Sequence, residues 1–436
     1  MLAKHRFIVD APTARLLNVS RMNCFKLLAL ALSCAAVSSC VSNCENGARA
    51  NTSNTGRDYD VAAYVWPAYQ NTPDWKRYGH FPKNIGEWEF VKEAASKKAG
   101  HKQPKVPLWG YELENNPIVW ARKVDACLAS GINVLIFDWY WYEGKPYLED
   151  SLNAFVKAPN SERMKFALMW ANHTIDDLWD KTVPVKCKDK NGYRHIRAEA
   201  DVSMDEFKNV LVPRWLRYFK KPNYYKVSGK PLLQIFNPTG LKKCLGGTEK
   251  VAEAFAYLNE KAREVGFAGV EIQLQQSPLR KAEAAAEYEK MGVSGVFSYN
   301  WLECGALAGS YHRDYTNKPD VDYKVLGEAA FAEMNRRAAK YPNLQFYPNV
   351  SCGWDTNPRF PDNYYLPVAT NNTPERFEYF LLKAKDWADK NIRKGNPKLI
   401  LINSLNEWTE GSYLEPDEEH GYGFLNATAR VFYKIK

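Results

Sequence analysis

Short apolar runs alternate along this chain with longer amphipathic stretches, and the alternation is regular enough to count. Eight runs, at 61–65, 133–137, 165–169, 231–236, 270–274, 295–299, 345–349 and 398–403, are brief and largely apolar, most with β-branched or aromatic residues. That composition belongs to strands buried on both faces, which occur in parallel sheets. Between them, 117–130, 148–156, 204–219, 250–265, 282–291, 323–340 and 374–390 read as amphipathic helices, and a closing helix is expected near 424–433. Alternating strand and helix implies right-handed crossovers. Eight such units closing on themselves make an α/β fold of the (β/α)8 TIM-barrel type. A doubly wound open sheet is the alternative, but nothing of the form G-x-G-x-x-G follows the first strand. The domain expected over 59–436 exceeds the roughly 250 residues of a plain barrel, and its surplus falls in long βα loops at 66–116, 171–203 and 301–322.

A barrel carries its chemistry at the C-terminal strand ends. Those ends read Trp66; Asp138, Trp139, Tyr140 and Trp141; Trp170, Asn172 and His173; Asn237; Gln273 and Gln275; Tyr299, Asn300 and Trp301; Asn349, with Trp354 and Asp355 beyond it; and finally Asn406, Glu407 and Trp408. A barrel with only a structural task has no need of Trp beside Asn, acid or His at so many ends. The clustering, and not any single residue, marks a cleft. Trp66, Asp138, Trp139, Tyr140, Trp170, Asn172, His173, Tyr299, Asn300, Trp301, Asn406 and Trp408 are therefore the candidates for substrate binding. So many tryptophans exceed what one cleft needs, and roughly half belong in the core. Asp138 has two readings, a role on a sugar hydroxyl or a neighbouring carboxyl, and a structural bond to a loop.

The last strand ends most abruptly in charge. Glu407 and Glu410 follow it in a turn with Asn403, Ser404, Asn406 and Thr409, closed by Gly411. If the turn is helical, the i,i+3 spacing puts both carboxyls on one face, with Cβ atoms roughly 5–6 Å apart. Two solvated glutamates on a surface loop would have the same local spacing. The other strand ends favour the first reading, and Glu407 and Glu410 are the candidate catalytic pair.

The N-terminus changes the picture of where the protein resides. Arg21 to Lys26 precede the apolar stretch 27–37, and Ser38, Ser39 and Cys40 follow, the layout of a secretory signal. Val37-Ser-Ser-Cys40 resembles a bacterial lipoprotein signal, in which Cys40 is lipidated and becomes the mature N-terminus. About eleven apolar residues fall short of the roughly 20 needed to span a bilayer. Residues 1–21 have no place in such a signal, and translation is expected to begin at Met22. Residues 1–39 are thus signal and upstream segment, and 40–58 a polar, flexible tether. The expected location is the bacterial cell envelope, with membrane attachment only through the lipid.

The formal charge is +9, but residues 1–39 hold five basic groups (Lys4, Arg6, Arg15, Arg21, Lys26) and one acid (Asp10), leaving +5 on the mature chain. With no long basic run, that excludes a nucleic-acid binder. The 14 Trp and 26 Tyr exceed what a core requires, and flat rings stack on pyranose faces, so a polysaccharide or oligosaccharide partner fits. The nine cysteines include no C-x-x-C pair, and the seven histidines show no ligand spacing; no metal or other cofactor is expected, and the protein is expected to be a monomer.

Glycosidic cleavage protonates a departing oxygen and stabilises an oxocarbenium-like centre, usually with two carboxyl groups flanking the bond. Carboxyls close in sequence suit another route, in which one removes the proton from the sugar 2-OH, whose oxygen attacks the anomeric carbon, while the other protonates the leaving group. That route needs a 2-OH anti to the leaving group, as in an α-mannoside.

The segment Leu405-Asn-Glu-Trp-Thr-Glu-Gly411 with Tyr413-Leu-Glu-Pro416, together with Ile136-Phe-Asp-Trp-Tyr-Trp141 and Met169-Trp-Ala-Asn172, resembles the glycoside hydrolase family 99-like proteins, a group also labelled WbsX-type glycosyltransferases. The resemblance runs from Val61 to the C-terminus and is most specific from Asn406 to Gly411. It implies a (β/α)8 barrel and an endo-acting, retaining α-mannosidase mechanism through a 1,2-anhydro sugar. On this chain it gives Glu407 the role of acting on the 2-OH and Glu410 that of general acid/base. The mannosidases carry His where this chain has Thr409, a departure that bears on mannose specificity. An Asn-Glu pair also ends a strand in the large clan of retaining barrel glycosidases, but there a later strand supplies the nucleophile, and none follows here. The leading expectation is a lipid-anchored glycoside hydrolase. The rivals are a glycosyltransferase of surface-polysaccharide synthesis, for which no Gly-rich phosphate loop is present, and a non-catalytic glycan-binding lipoprotein.

Overall fold

The computed structural model describes residues 58–177, 181, 195–293, 295–307 and 319–433. Cys40 and most of the proposed tether lie outside them. Eight parallel strands curl into a ring: β1 (Asp60–Val65), β2 (Val134–Tyr142), β3 (Lys165–Trp170), β4 (Lys230–Ile235), β5 (Glu271–Gln275), β6 (Gly295–Phe297), β7 (Gln345–Phe346 and Asn349–Ser351) and β8 (Leu399–Asn403). Each pairs with the next, and β8 returns to β1 with Asp60 opposite Leu399. The expected continuous strand over 345–349 is two pieces. Pro348 has no N–H for the ladder, so the first piece pairs with β6 and the second with β8, while the Pro348 carbonyl accepts from Leu401 N at 2.9 Å.

Eight helices follow the strands in order: α1 (Pro117–Ala129), α2 (Asp150–Lys157), α3 (Val212–Phe219), α4 (Thr248–Glu264), α5 (Glu283–Lys290), α6 (Tyr323–Lys340), α7 (Pro374–Asn391) and α8 (Gly423–Phe432). The chain is the (β/α)8 barrel that the alternation predicts. The expected helix over 204–219 departs from regularity. Ser203 caps it, accepting from Glu206 N at 3.1 Å, and a π-turn over Phe207–Leu211 precedes α3. Pro213 offers no N–H to the preceding turn, and a π-bulge is one way to absorb that loss.

β2 runs five residues past its expected end because it continues as a hairpin with Lys145–Tyr147. The two turn residues, Glu143 (φ 50°) and Gly144 (φ 74°), have the positive φ that a tight hairpin turn requires. This extension carries Asp138 to Tyr142 up from the barrel rim. Side chains alternate along each strand. On β2, Phe137 meets Trp120 and Phe155 of the helical layer, so Asp138 and Tyr140 face the barrel axis. On β1, Tyr64 faces inward and donates to Gln234 (2.9 Å), which donates to Gln273 (3.0 Å), a buried polar chain across the interior.

Candidate active site

The turn after β8 is held from both sides before its carboxyls are placed. Leu405 N donates to Tyr64 O at 2.8 Å. The Asn406 amide takes both backbone groups of Trp66, accepting from its N and donating to its O, each at 2.8 Å. The same amide nitrogen donates to Glu114 at 2.7 Å. Ser404 Oγ accepts from Glu407 N (2.9 Å) and donates to Ser412 O (2.7 Å). Asn406–Glu407 then pairs antiparallel with Ser412–Tyr413, and Trp408–Glu410 between them is one 3-10 turn. Gly411 closes it at φ 60°, where an added Cβ would meet Asp355 at 3.0 Å. The turn is therefore tighter than an α-helical one, and both glutamates are buried rather than solvated.

Four carboxyl groups and one guanidinium gather here, all under a tenth exposed, and three of the carboxyls contact the arginine: Glu87, Glu407 and Glu410 meet Arg359, with Asp138 alongside. Arg359 donates through Nη1 to Glu410 Oε1 (2.5 Å), through Nε to Glu87 Oε1 (2.9 Å), and through Nη2 to Glu87 Oε2 (3.2 Å) and Glu407 Oε1 (3.5 Å). Both candidate catalytic carboxyls thus share the ends of one planar group. Glu87 also accepts from Trp66 Nε1 at 2.7 Å and from the Thr409 hydroxyl. On the far side of Glu407, the Tyr299 hydroxyl lies 2.9 Å from Glu407 Oε2 and 3.0 Å from Asp138 Oδ2.

Burial of four ionised carboxyls against one cation is unfavourable, so protons must be held. Glu407 is pushed well above the ordinary carboxyl range, by burial first and then by the charge of Glu410, with Arg359 pulling it back. Asp138 is pushed up by burial, with the Tyr299 hydrogen bond opposing. The phenol makes the same point geometrically. It has one proton and two carboxyl neighbours, so one neighbour must itself be the donor. A protonated Asp138 donating to Tyr299, which donates to an ionised Glu407, satisfies both contacts with one extra proton. Among the described residues, Asp138 Oδ1 has no hydrogen-bond partner.

The structure brings some of the candidate binding residues to this site and directs others away. Trp66, Asp138, Tyr140 and Tyr299 surround the carboxyl pair; Trp66 packs edge-on to Tyr140 at 5.7 Å and under the Arg359 guanidinium at 5.5 Å. His173 lies next to Tyr140 at 5.5 Å, and burial pushes its imidazole down. Asn172 ties strand ends together, donating to Asn237 O and accepting from Asn237 N. Trp139 and Trp170 occupy the other face of their strands and pack on Trp215 of α3, so they belong to the helical layer and not to the cleft. Trp301 donates to Asn349 O and packs on Tyr323 and Phe380, again outside the barrel. Asn300 caps the 3-10 turn Trp301–Cys304 and borders a small cavity beside Met334. Trp408 is fully buried, stacked on Tyr413 at 3.8 Å and donating to Glu415. Asn406 acts on the backbone, as described.

Sequence reasoning missed Arg359, Glu87 and the buried trio Glu114, Lys123 and Glu415. The first two lie in long loops without periodicity, and nothing local distinguishes Arg359 from a surface arginine. Lys123 occupies an ordinary helical position on α1, and only its burial with two carboxylates sets it apart. Among the described residues, no group of three or more His, Cys, Asp or Glu is arranged to hold a metal.

Comparison with known proteins places this geometry in a family. The family described as Glycosyltransferase WbsX matches residues 61–428. An uncharacterized protein WxcX of Xanthomonas campestris pv. campestris strain B100 is 25% identical over 388 residues, 85% of this chain and 49% of its own. The chain spans about half the length of the curated relatives it matches. Among solved structures, a glycoside hydrolase-like protein is similar at TM-score 0.53 and 16% identity, over 89% of this chain and 98% of its own, a likeness of fold. The GH99 endo-alpha-mannosidase from Bacteroides thetaiotaomicron is similar at TM-score 0.48 and 15% identity, over 85% and 96%. With the family match extending from the first barrel strand into the last helix, the chain belongs to the WbsX family.

Proposed function

We propose that this protein is a glycoside hydrolase acting on a polysaccharide or glycan, with retention, on an α-mannoside-like sugar. The observation that carries the reading is the pairing of Glu407 and Glu410 on one turn, tied through one arginine, instead of facing each other across a cleft. Neighbouring carboxyls suit participation by the substrate. Glu407 takes the proton of the 2-OH as O2 bonds to C1, the bond from C1 to the leaving oxygen breaks, and Glu410 gives that oxygen a proton. In the second half Glu410 takes a proton from water, the water oxygen bonds to C1, the C1–O2 bond breaks, and Glu407 returns the proton to O2. A base for this work gains from a raised pKa, the direction burial and Glu410 push Glu407. Trp66 and Tyr140 supply apolar walls, and Asp138 Oδ1 a polar atom for a sugar hydroxyl.

A second reading, glycosyl transfer, is favoured by the family's description. It differs in the acceptor of the sugar and in needing an activated donor. The purified protein incubated with a polysaccharide panel, with reducing ends counted and the first-formed anomer read by NMR, separates the two. We expect new reducing ends and retention. Glu410→Gln should lose on the order of 10²–10⁴-fold on substrates with poor leaving groups and much less on activated aryl glycosides; Glu407→Gln should impair both. Inversion, or a covalent glycosyl-enzyme on either glutamate, would refute the neighbouring-group route. We also propose envelope anchoring through Cys40; persistent palmitate-analogue labelling and membrane attachment in Cys40→Ala would overturn it.

A further inference from the structure

Four backbone carbonyls converge on one side-chain ammonium beside the site. Lys97 Nζ donates to the carbonyl oxygens of Asn357 (2.7 Å), Phe360 (2.8 Å), Pro361 (3.0 Å) and Tyr364 (3.0 Å). An ammonium has three protons, so four oxygens exceed its hydrogen-bonding needs and make an oxygen cage around a cation. All four belong to the segment 357–364, and Arg359 sits within its curl.

Lys97 comes from a different loop, the long one after β1, and that loop is itself stitched to the site. Lys97 N donates to His101 Nδ1 (3.0 Å), and His101 Nε2 lies 2.9 Å from Asp355 Oδ2. With Nδ1 accepting, Nε2 is the donor to Asp355. Asp355 N in turn donates to Glu410 O at 2.6 Å. Withdrawing the lysine would leave four carbonyl dipoles facing one another with only two backbone donors, Phe360 N to Asn357 O and Tyr364 N to Pro361 O, in the loop that aims the guanidinium at both catalytic carboxyls.

We propose that Lys97 is a positioning residue: its ammonium is the cation around which the 357–364 loop folds, and by fixing Arg359 it sets where the Glu407–Glu410 pair holds its proton. This rests on the reading of that pair as the acid/base machinery. The charged groups around Lys97 are Asp355 and Asp362, which favour the cation, and Lys181, which opposes it; burial pushes the amine down to about 8. Above that pH the cage loses its charge, and the loop should loosen on the alkaline side.

The test uses Lys97→Ala with and without added n-propylammonium, a primary amine that can refill the cage, and tetramethylammonium, which has charge but no N–H. The first readout is a pH-difference infrared titration of the buried carboxyls in ligand-free protein, which needs no substrate. We expect the carboxyl transition assigned by Glu407→Gln to move upward in Lys97→Ala, because Glu407 loses the pull of Arg359, and to return with n-propylammonium alone. Activity should fall about 10²-fold, as a loss of positioning, and recover with the same amine. Lys97→Met, which keeps the stem and leaves no room for the amine, gives the carboxyl titration without the rescue where Lys97→Ala does not fold. An unchanged carboxyl titration in the folded variants, or equal rescue by tetramethylammonium, would overturn the positioning role. A shifted titration in a protein whose wild type cleaves no glycan would support the role and sink the glycosidase reading instead.

Discussion

Lys123→Met should cost about 3–5 kcal/mol of stability at pH 7. Lys123 is fully buried on α1, its ammonium 2.5 Å from Glu114 Oε1 and 2.5 Å from Glu415 Oε1, the first an aligned hydrogen bond and the second an ion-pair contact. Methionine keeps the stem and deletes the one cation that, among the described residues, neutralises these two carboxyls within contact distance. At least one carboxyl must then hold a proton. Holding one at pH 7, against an ordinary value of 4.5 for Glu114, costs about 3 kcal/mol, and at pH 5 less than about 1 kcal/mol. The sign follows: between the unfolded and the raised folded pKa the folded state binds more protons, so its stability falls as pH rises. The deficit of Lys123→Met in urea unfolding should therefore be large at pH 7 and small at pH 5. Because Asn406 donates to Glu114 and Trp408 to Glu415, the turn bearing Glu407 should loosen with it. A deficit under about 1 kcal/mol at pH 7, or one that does not change with pH, would refute the reasoning.

Three further outcomes follow from the same geometry. Tyr299→Phe removes the single proton bridging Asp138 and Glu407; a hydrogen bond to a charged group is worth about 1.5–3 kcal/mol, so kcat/KM should fall at least tenfold and its acid limb move to higher pH. Glu303, beside Arg337, is pushed up to about 7 by burial, so its share of stability is present below 4.5 and lost as pH rises through about 7; Glu303→Gln should flatten that slope in thermal unfolding between pH 5 and 8. Activity should survive exhaustive EDTA dialysis, and a loss restored by Ca²⁺ would reveal an oxygen-ligand site.

The fold was legible because each strand is buried on both faces and each helix on one, so periodicity carries the signal. All eight expected strands and eight expected helices find counterparts, with the exceptions traceable to single residues: Pro348 splits β7, and Pro213 follows the π-turn before α3. The candidate site was legible only where polar groups sit directly on a strand end, as with Asp138, Tyr299 and the turn after β8. Which face a strand-end residue occupies is set by parity, and parity separates Tyr140 from Trp139 although they are neighbours. Counting aromatics at strand ends could not make that distinction; numbering outward from Phe137 could. Arg359 and Lys97 were not legible because long-range partners, not local pattern, hold the buried guanidinium and the half-buried lysine.

Those two cations change how the carboxyl cluster works. Without Arg359, Glu87, Glu407, Glu410 and Asp138 would each have to be neutral or solvated to remain buried together. With it, one positive charge is divided among three of them, and Tyr299 links the fourth to Glu407. The cluster then carries more acidic groups than charges it can tolerate, so it retains at least one proton well above the ordinary carboxyl range. A site that both gives and takes a proton needs that surplus close to the reacting bond. The proton is shared between groups rather than owned by one, so the macroscopic titration belongs to the cluster. Altering any single member should therefore displace the titration of the others, as in any buried cluster of coupled acids; in an acid/base machine the pH profile of kcat/KM should move with it.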